Sequence, residues 1–184
     1  DLFQRHLRDR GSNPHGSLIM SLTPSQLTAL KSRVTFDQAL AAFPNNSDGN
    51  YEIARLLNLE ADPAWVIWRT NVTRREILQN GFDWTRLDNL SVGKARIWAD
   101  IFVDGYINPS KANVRTGIEA VWVGTAADLA VRAAVFGRCK ANASRILKLF
   151  STGTGTTNSP ADLASNLDET FRVDPSDIET ARNL

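Results

Sequence analysis

The stretch from Ser110 to Phe150 constrains the fold more than any other part of the chain, because apolar residues recur in it at helical spacing. In its first part, Val114, Ile118 and Val121 lie four and three residues apart, so they share one helical face with Trp122. A face of this kind must be buried. The pattern therefore predicts a core helix that ends near Gly124.

A second helix is predicted to begin at Thr125 and to run to Phe150, with only Gly137 inside it. Thr125 and Asp128 have the spacing of a capping box. At about 1.5 Å per residue this helix would be about 39 Å long. Its apolar seam is predicted to consist of Leu129, Phe136, Ala143 and Phe150, with Cys139 and Ile146 beside them. We expect this rod to lie in the core or to contact another subunit.

Composition excludes several classes of function. The chain has 184 residues and a formal net charge of +1, which suits one ordinary domain without a global field for nucleic acid or membranes. No apolar run approaches the roughly 18 residues of a membrane span, so no membrane partner is expected. Cys139 falls inside a predicted helix, and both histidines, His6 and His15, lie in an irregular N-terminal segment. We therefore expect no enzyme activity, no cofactor and no metal site.

Charge is distributed unevenly along the sequence. Residues 111–148 hold seven Lys or Arg against two acids, and residues 151–184 hold six acids against two Arg, so the local charges are +5 and −4. A basic segment followed by an acidic one favours pairing, either within one chain or between neighbouring chains.

The sequence predicts an all-α fold: a bundle of short helices around one long helix, followed by an extended C-terminal arm with at most a short strand. The predicted parts are an irregular N-terminal extension over residues 1–19, a helical domain over residues 20–150 and the arm over residues 151–184. Thr73 and Glu76 form a capping box for a helix that would stop at Asn80 and Gly81. The five tryptophans are expected to share an aromatic core: Trp65, Trp68, Trp84, Trp98 and Trp122.

The arm is predicted from a change in composition after Phe150. Residues 151–160 hold no charge and no large apolar residue, which excludes a helix. Residues 170–173 alternate as a short strand would, and Asp174 followed by Pro175 predicts a last helix. A segment of this kind is expected to dock on another protein.

Several short runs also resemble a known family. They are Leu22 to Leu27, Phe43 to Asn45, Asp48 to Ala54, Trp65 to Thr70 with Val72 and Arg74, Phe82 to Thr85, Asn108 to Arg115, Lys148 to Thr156, and Ala181 to Leu184. In these runs the chain, from Met20 onwards, is similar to small proteins encoded among the virion structural genes of tailed bacteriophages and their prophages.

The resemblance implies a head-to-tail connector, which is an adaptor or head-completion subunit of which many copies form a ring below the portal. The implied partners are further copies of the chain in a ring expected to be dodecameric, the portal protein, and a tail or second connector protein. DNA would pass through the lumen without sequence-specific binding. The implied location is the head-tail junction of the virion, and the host cytoplasm during assembly.

This hypothesis assigns two sets of contact residues. The ring contact between subunits would use Arg132, Arg138, Lys140 and Arg145. The arm would dock on the portal through Phe171, Val173, Ile178 and Leu184. Two alternatives stay open: another virion part, such as a tail-completion or decoration protein, and a DNA-binding regulator that uses the basic side of the predicted rod.

Overall fold

A computed structural model describes residues 21–79 and 82–184. The predicted N-terminal extension, residues 1–19, lies outside the described residues. The predicted helix end at Asn80 and Gly81 lies outside them as well.

Three helices open the described chain: α1 (Pro24–Phe36), α2 (Gln38–Ala41) and α3 (Ser47–Leu57). The side chain of Thr23 accepts a hydrogen bond from the Gln26 N–H, and the side-chain oxygen of Gln26 accepts one from the Thr23 N–H, so α1 begins at a full capping box.

The middle of the chain alternates short strands and short helices. In chain order these are β1 (Val66–Trp68), β2 (Val72–Thr73), α4 (Arg74–Leu78), α5 (Thr85–Asp88), α6 (Val92–Asp100), β3 (Tyr106–Ile107) and α7 (Ala112–Val121). Thr73 and Glu76 form the predicted capping box of α4. The predicted core helix is α7, which buries Ile118 and Val121.

The predicted long helix from Thr125 to Phe150 is wrong. The structure divides this stretch into α8 (Ala126–Arg138), β4 (Lys140–Asn142) and α9 (Arg145–Leu149). The chain leaves the helix at Lys140 because β4 pairs with β1, and Ser144 then caps α9 by accepting a hydrogen bond from the Leu147 N–H. A long-range strand pairing therefore overrides the local helical pattern.

The fold class is a mixture of helices and small sheets, and the all-α prediction is wrong. The remaining elements are β5 (Ser151–Thr152), β6 (Asp162–Leu163) and α10 (Pro175–Arg182). Among the described residues, ten helices make up about 51% of the structure and six strands form three antiparallel pairs, β1 with β4, β2 with β3 and β5 with β6. These pairs are two or three residues long, which explains why a reading of sequence periodicity does not detect them.

Strand β1 separates two hydrophobic cores. Successive side chains of a strand point to opposite faces, so Ile67 enters one core and Trp68 enters the other. The first core joins α1, α3, α9 and the C-terminal segment, and the second joins α4, α6, α7 and α8. The predicted heptad seam is thereby split, because Cys139 packs in the second core while Ala143, Ile146 and Phe150 pack in the first.

Residues 151–184 are folded onto the domain, which contradicts the predicted extended arm. The physical reason is apolar burial: Leu163, Leu167, Phe171, Val173, Ile178 and Ala181 all lie in the first core. Helix α10 packs against both α1 and α3. Without this segment the apolar faces of these two helices would be exposed to water.

Polar contacts fasten the same segment at several points. Each joins a C-terminal residue to an element far earlier in the chain: Arg115 to Asp162, Gln26 to Asn166, Arg69 to Glu169, Asn58 to Val173, and Arg182 to Asn50. Of these contacts, only the ion pair of Arg115 with Asp162 joins the predicted basic segment to the acidic one; Glu169 pairs with Arg69, outside the basic segment.

Candidate protein interface

The outer surface of α8 carries no charged side chain before Arg138, the exposed last residue of the helix. The other exposed residues of α8 are Ala126, Ala127, Ala130, Ala133, Ala134 and Gly137, together with Leu129, which is 41% exposed. Positions three and four apart share a helical face, so these residues form one strip about 20 Å long. A solvated helix face normally carries charged residues. We call this strip the α8 surface.

Two larger apolar side chains lie near the N-terminal end of α8. Trp84 is 55% exposed and Val123 is 48% exposed. The ring of Trp84 lies edge-on to that of Phe82 with 5.7 Å between the ring centres, and the guanidinium of Arg86, two residues further on, bonds the hydroxyl of Thr125 and the carboxylate of Asp128. An exposed indole beside an uncharged helix face is typical of a protein contact, in which aromatic side chains serve as anchors.

The exposure of Trp84 corrects the prediction that all five tryptophans share a core. Trp68, Trp98 and Trp122 lie in the second core, while Trp65 is half-buried and packs at the edge of the first.

Asp128 anchors this end of α8. Its carboxylate accepts hydrogen bonds from the Thr125 N–H and hydroxyl, as a capping box requires, and forms an ion pair of 2.6 Å with Arg86. The hydrogen bond from Arg86, followed by those from Thr125, lowers the pKa of Asp128 to about 2. The position of α5 relative to α8 therefore depends on an ionised carboxylate.

The four cations assigned to a ring contact lie on three elements. Arg132 is half-buried on α8, and Arg138 is the exposed last residue of that helix. Lys140 lies in β4, where its ammonium donates to the Thr157 carbonyl at 2.7 Å and lies 5.5 Å from the centre of a Trp68 ring. Arg145 is the exposed first residue of α9. The four cations therefore lie on separate elements and not along one continuous helix.

Arg145 contributes to a cleft between α1 and α9 of about 540 Å³. Its lining residues are Arg33, Ala61, Asp62, Arg145, Lys148 and Leu149. The Lys148 ammonium lies 4.9 Å from the centre of a Trp65 ring, a cation–π distance, and Arg33 pairs with Asp37 at 2.9 Å. We call this region the basic cleft.

The predicted portal-docking residues are placed differently from the hypothesis. Phe171, Val173 and Ile178 are between 0% and 4% exposed in the first core, whereas Leu184 is 62% exposed. Only Leu184 presents its side chain at the surface. Docking through the other three would require the C-terminal segment to leave the core.

A half-buried ionic cluster formed by Arg69, Glu76 and Glu169 is structural. The Arg69 guanidinium bonds the carboxylates of Glu76 and Glu169, and Glu169 also accepts from the Thr70 N–H and hydroxyl. Burial raises the pKa of Glu169, but the hydrogen bonds from Thr70 and Arg69 outweigh it and lower the pKa below its usual value. Nearby, burial raises the pKa of the Cys139 thiol to about 12, so this cysteine is not an activated nucleophile.

Within residues 21–79 and 82–184 the structure contains no group of three or more side chains that could hold a metal ion. No helix in these ranges is long and apolar enough to cross a bilayer. The surface features that stand out are the α8 surface and the basic cleft. The molecule thus belongs, by fold, to the class of small mixed helix-and-sheet domains with two cores.

Comparison of the chain with protein-family models, curated proteins and solved structures found no match.

Sequence reasoning did not detect the α8 surface or the basic cleft. The α8 surface has a local signal, which is the absence of charge at Ala126, Ala130, Ala133 and Gly137. The cleft has none, because Arg33 and Arg145 are more than one hundred residues apart in the sequence.

Proposed function

We propose that the chain is a structural subunit of a tailed-bacteriophage particle, a head-to-tail connector that assembles into a ring below the portal. The observation that carries the proposal is the α8 surface with its exposed neighbours Trp84, Val123 and Leu129. The resemblance of the chain to phage virion proteins suggests the setting: a virion, in which another protein would cover this surface.

The physical argument rests on what the α8 surface lacks. Alanine and glycine let two backbones approach closely, so a helix or sheet of the portal can pack on this face without displacing long side chains. No charged side chain on the face needs to be desolvated, which removes a major cost of burial. The Thr125 cap and the Arg86–Asp128 ion pair hold the helix in place before contact, so little order has to be gained on binding.

The proposal differs from the sequence hypothesis in one respect. Because Phe171, Val173 and Ile178 are in the first core, the contact with the portal is not assigned to the C-terminal segment. We assign the contact with the portal to the α8 surface, which is already exposed.

The test is the mass of the purified chain, alone and after mixing with a portal ring, measured by native mass spectrometry. Assembly of many copies on the portal is the expected result. The variant Ala130→Glu places a charge in the middle of the α8 surface and should abolish assembly, because burying an unpaired carboxylate is strongly unfavourable.

Ala95→Glu is the matched control, since Ala95 is also an exposed alanine within a helix, α6. It should assemble as the unmodified chain does. A chain that stays a monomer or dimer and ignores the portal would overturn the connector proposal. Salt-dependent DNA binding by that small oligomer would support the regulator instead.

A further inference from the structure

Most charged residues of the segments 111–148 and 151–184 have no ion-pair partner among the described residues. Among the described residues, Arg115 alone of the seven cations in residues 111–148 has an ion-pair partner. Of the six acids in residues 151–184, only Asp162 and Glu169 are paired. Most of the +5 and −4 imbalance therefore stays available for contacts outside the chain.

The basic cleft concentrates part of the positive charge in a concave site. Arg145 and Lys148 project from α9 and have no ion-pair partner among the described residues, whereas Arg33 of α1 pairs with Asp37 and Asp62 adds an acid to the lining. Ala61 and Leu149 supply apolar surface between the cations. A cleft of about 540 Å³ with this lining suits a carboxylate carried on a narrow peptide segment. The phosphates of duplex DNA would be less suited, since they lie on a broad convex surface.

The start of α10 is a narrow and acidic segment of this kind. It lies between two grooves of about 400 and about 350 Å³, and Pro175 lines both of them. The ridge between the grooves carries Asp174, Ser176 and Glu179, all exposed, and the described part of the chain offers neither carboxylate an ion-pair partner. We call this segment the acidic ridge.

We propose that the acidic ridge of one copy of the chain docks in the basic cleft of another copy. Asp174 and Glu179 would then meet Arg145 and Lys148 across the contact. The two surfaces are different and each copy carries one of each, so the contact is heterologous and joins copies head to tail. This inference rests on the proposed function in one respect, namely that copies of the chain associate with each other.

Site-directed crosslinking tests the contact directly. One preparation carries Asp62→Cys at the cleft, and a second carries Ser176→Cys on the ridge; both positions are exposed and neither change removes a proposed ionic partner. A short bismaleimide should give a dimer of the two preparations several-fold above the yield of either alone. The native Cys139 is buried and contributes little background. A control pair replaces Asp62→Cys with Asn113→Cys, an exposed position on α7.

Charge reversal supplies the second arm of the test. Adding Arg145→Glu and Lys148→Glu to the cleft preparation should lower the dimer yield to that of the control pair. Adding Glu179→Lys to the ridge preparation should restore part of the yield, which a misfolded cleft variant could not do; Asp174 is left unchanged because its side chain closes the capping box of α10. A yield equal to the control pair from the start, or no restoration, would overturn the contact.

The outcomes separate this inference from the proposed function. A ring on the portal without enriched crosslinking would overturn the ridge-to-cleft contact and leave the connector proposal intact. Enriched crosslinking in a chain that does not bind the portal would support the ridge-to-cleft contact and overturn the connector proposal. Loss of DNA binding in the charge-reversed cleft, without any effect on crosslinking, would assign the cleft to phosphate and overturn the inference.

Discussion

At the scale of single residues, Asp128 links local and long-range order. It closes the capping box of α8 through Thr125 and at the same time pairs with Arg86, which lies 42 residues earlier. The capping box is predictable from the spacing of Thr125 and Asp128. The ion pair is not, because nothing in the local sequence indicates that α5 and α8 meet.

The pKa of Asp128 predicts how stability changes with pH. It is lowered to about 2 in the folded chain, so between about pH 4 and about pH 2 the unfolded state binds more protons than the folded state. Stability should therefore be fully present above this range and should fall as the pH is lowered through it. Urea unfolding between pH 6 and pH 2 measures the effect.

The variant Asp128→Asn isolates this contribution. It should lower the free energy of unfolding at neutral pH and should flatten the pH dependence between about pH 4 and about pH 2. An unchanged acid dependence in this variant would show that other carboxylates, such as Glu169, are responsible.

At the scale of elements, residues 170–173 of the C-terminal segment are held as a strand would be, although they form no strand. The side chain of Asn58 accepts a hydrogen bond from the Val173 N–H at 3.0 Å and donates one to the Val173 carbonyl at 2.9 Å. The predicted alternation of residues 170–173 is present, since Phe171 and Val173 are buried and Thr170 and Arg172 are exposed. One amide side chain thus takes the place of a neighbouring strand.

Replacement of Asn58 by Ala should therefore loosen the segment. It leaves the Val173 N–H and carbonyl without their partner, and we expect a loss of about 1–3 kcal/mol in the free energy of unfolding. Asn113→Ala, at an exposed position of α7, is the control and should change stability by less than about 0.5 kcal/mol. Equal effects of the two changes in urea unfolding would contradict this account.

Element boundaries were predictable where a cap marks them and not where a distant partner decides them. Thr73 and Thr125 each begin a helix as predicted, because the capping interaction is local. The break after Arg138 depends on the pairing of β4 with β1, about seventy residues earlier in the chain. The burial of the C-terminal segment is not predictable for a related reason. Its apolar residues are widely spaced in the sequence, and they are buried because they cover the apolar faces of α1 and α3.

At the scale of the whole molecule, the two proposed contacts have different physical origins. The α8 surface is uncharged, so its burial is driven by the hydrophobic effect and close packing. The ridge-to-cleft contact depends on opposite charges at the surface, which salt screens. Both surfaces lie on parts of the fold that core packing and capping already hold in place.

Salt should therefore separate the two contacts. Raising the ionic strength from about 0.05 M to about 0.5 M shortens the screening length severalfold, so self-association through Glu179 and Arg145 should weaken. Attachment to the portal through the α8 surface should persist, because apolar burial is not weakened by salt. Sedimentation velocity of the chain alone and with portal measures both over the same salt series.

Ala130→Glu should lose portal attachment at every salt concentration while keeping the salt-sensitive self-association. Portal attachment that falls with salt in parallel with self-association would assign both to charge and would remove the α8 surface from the account.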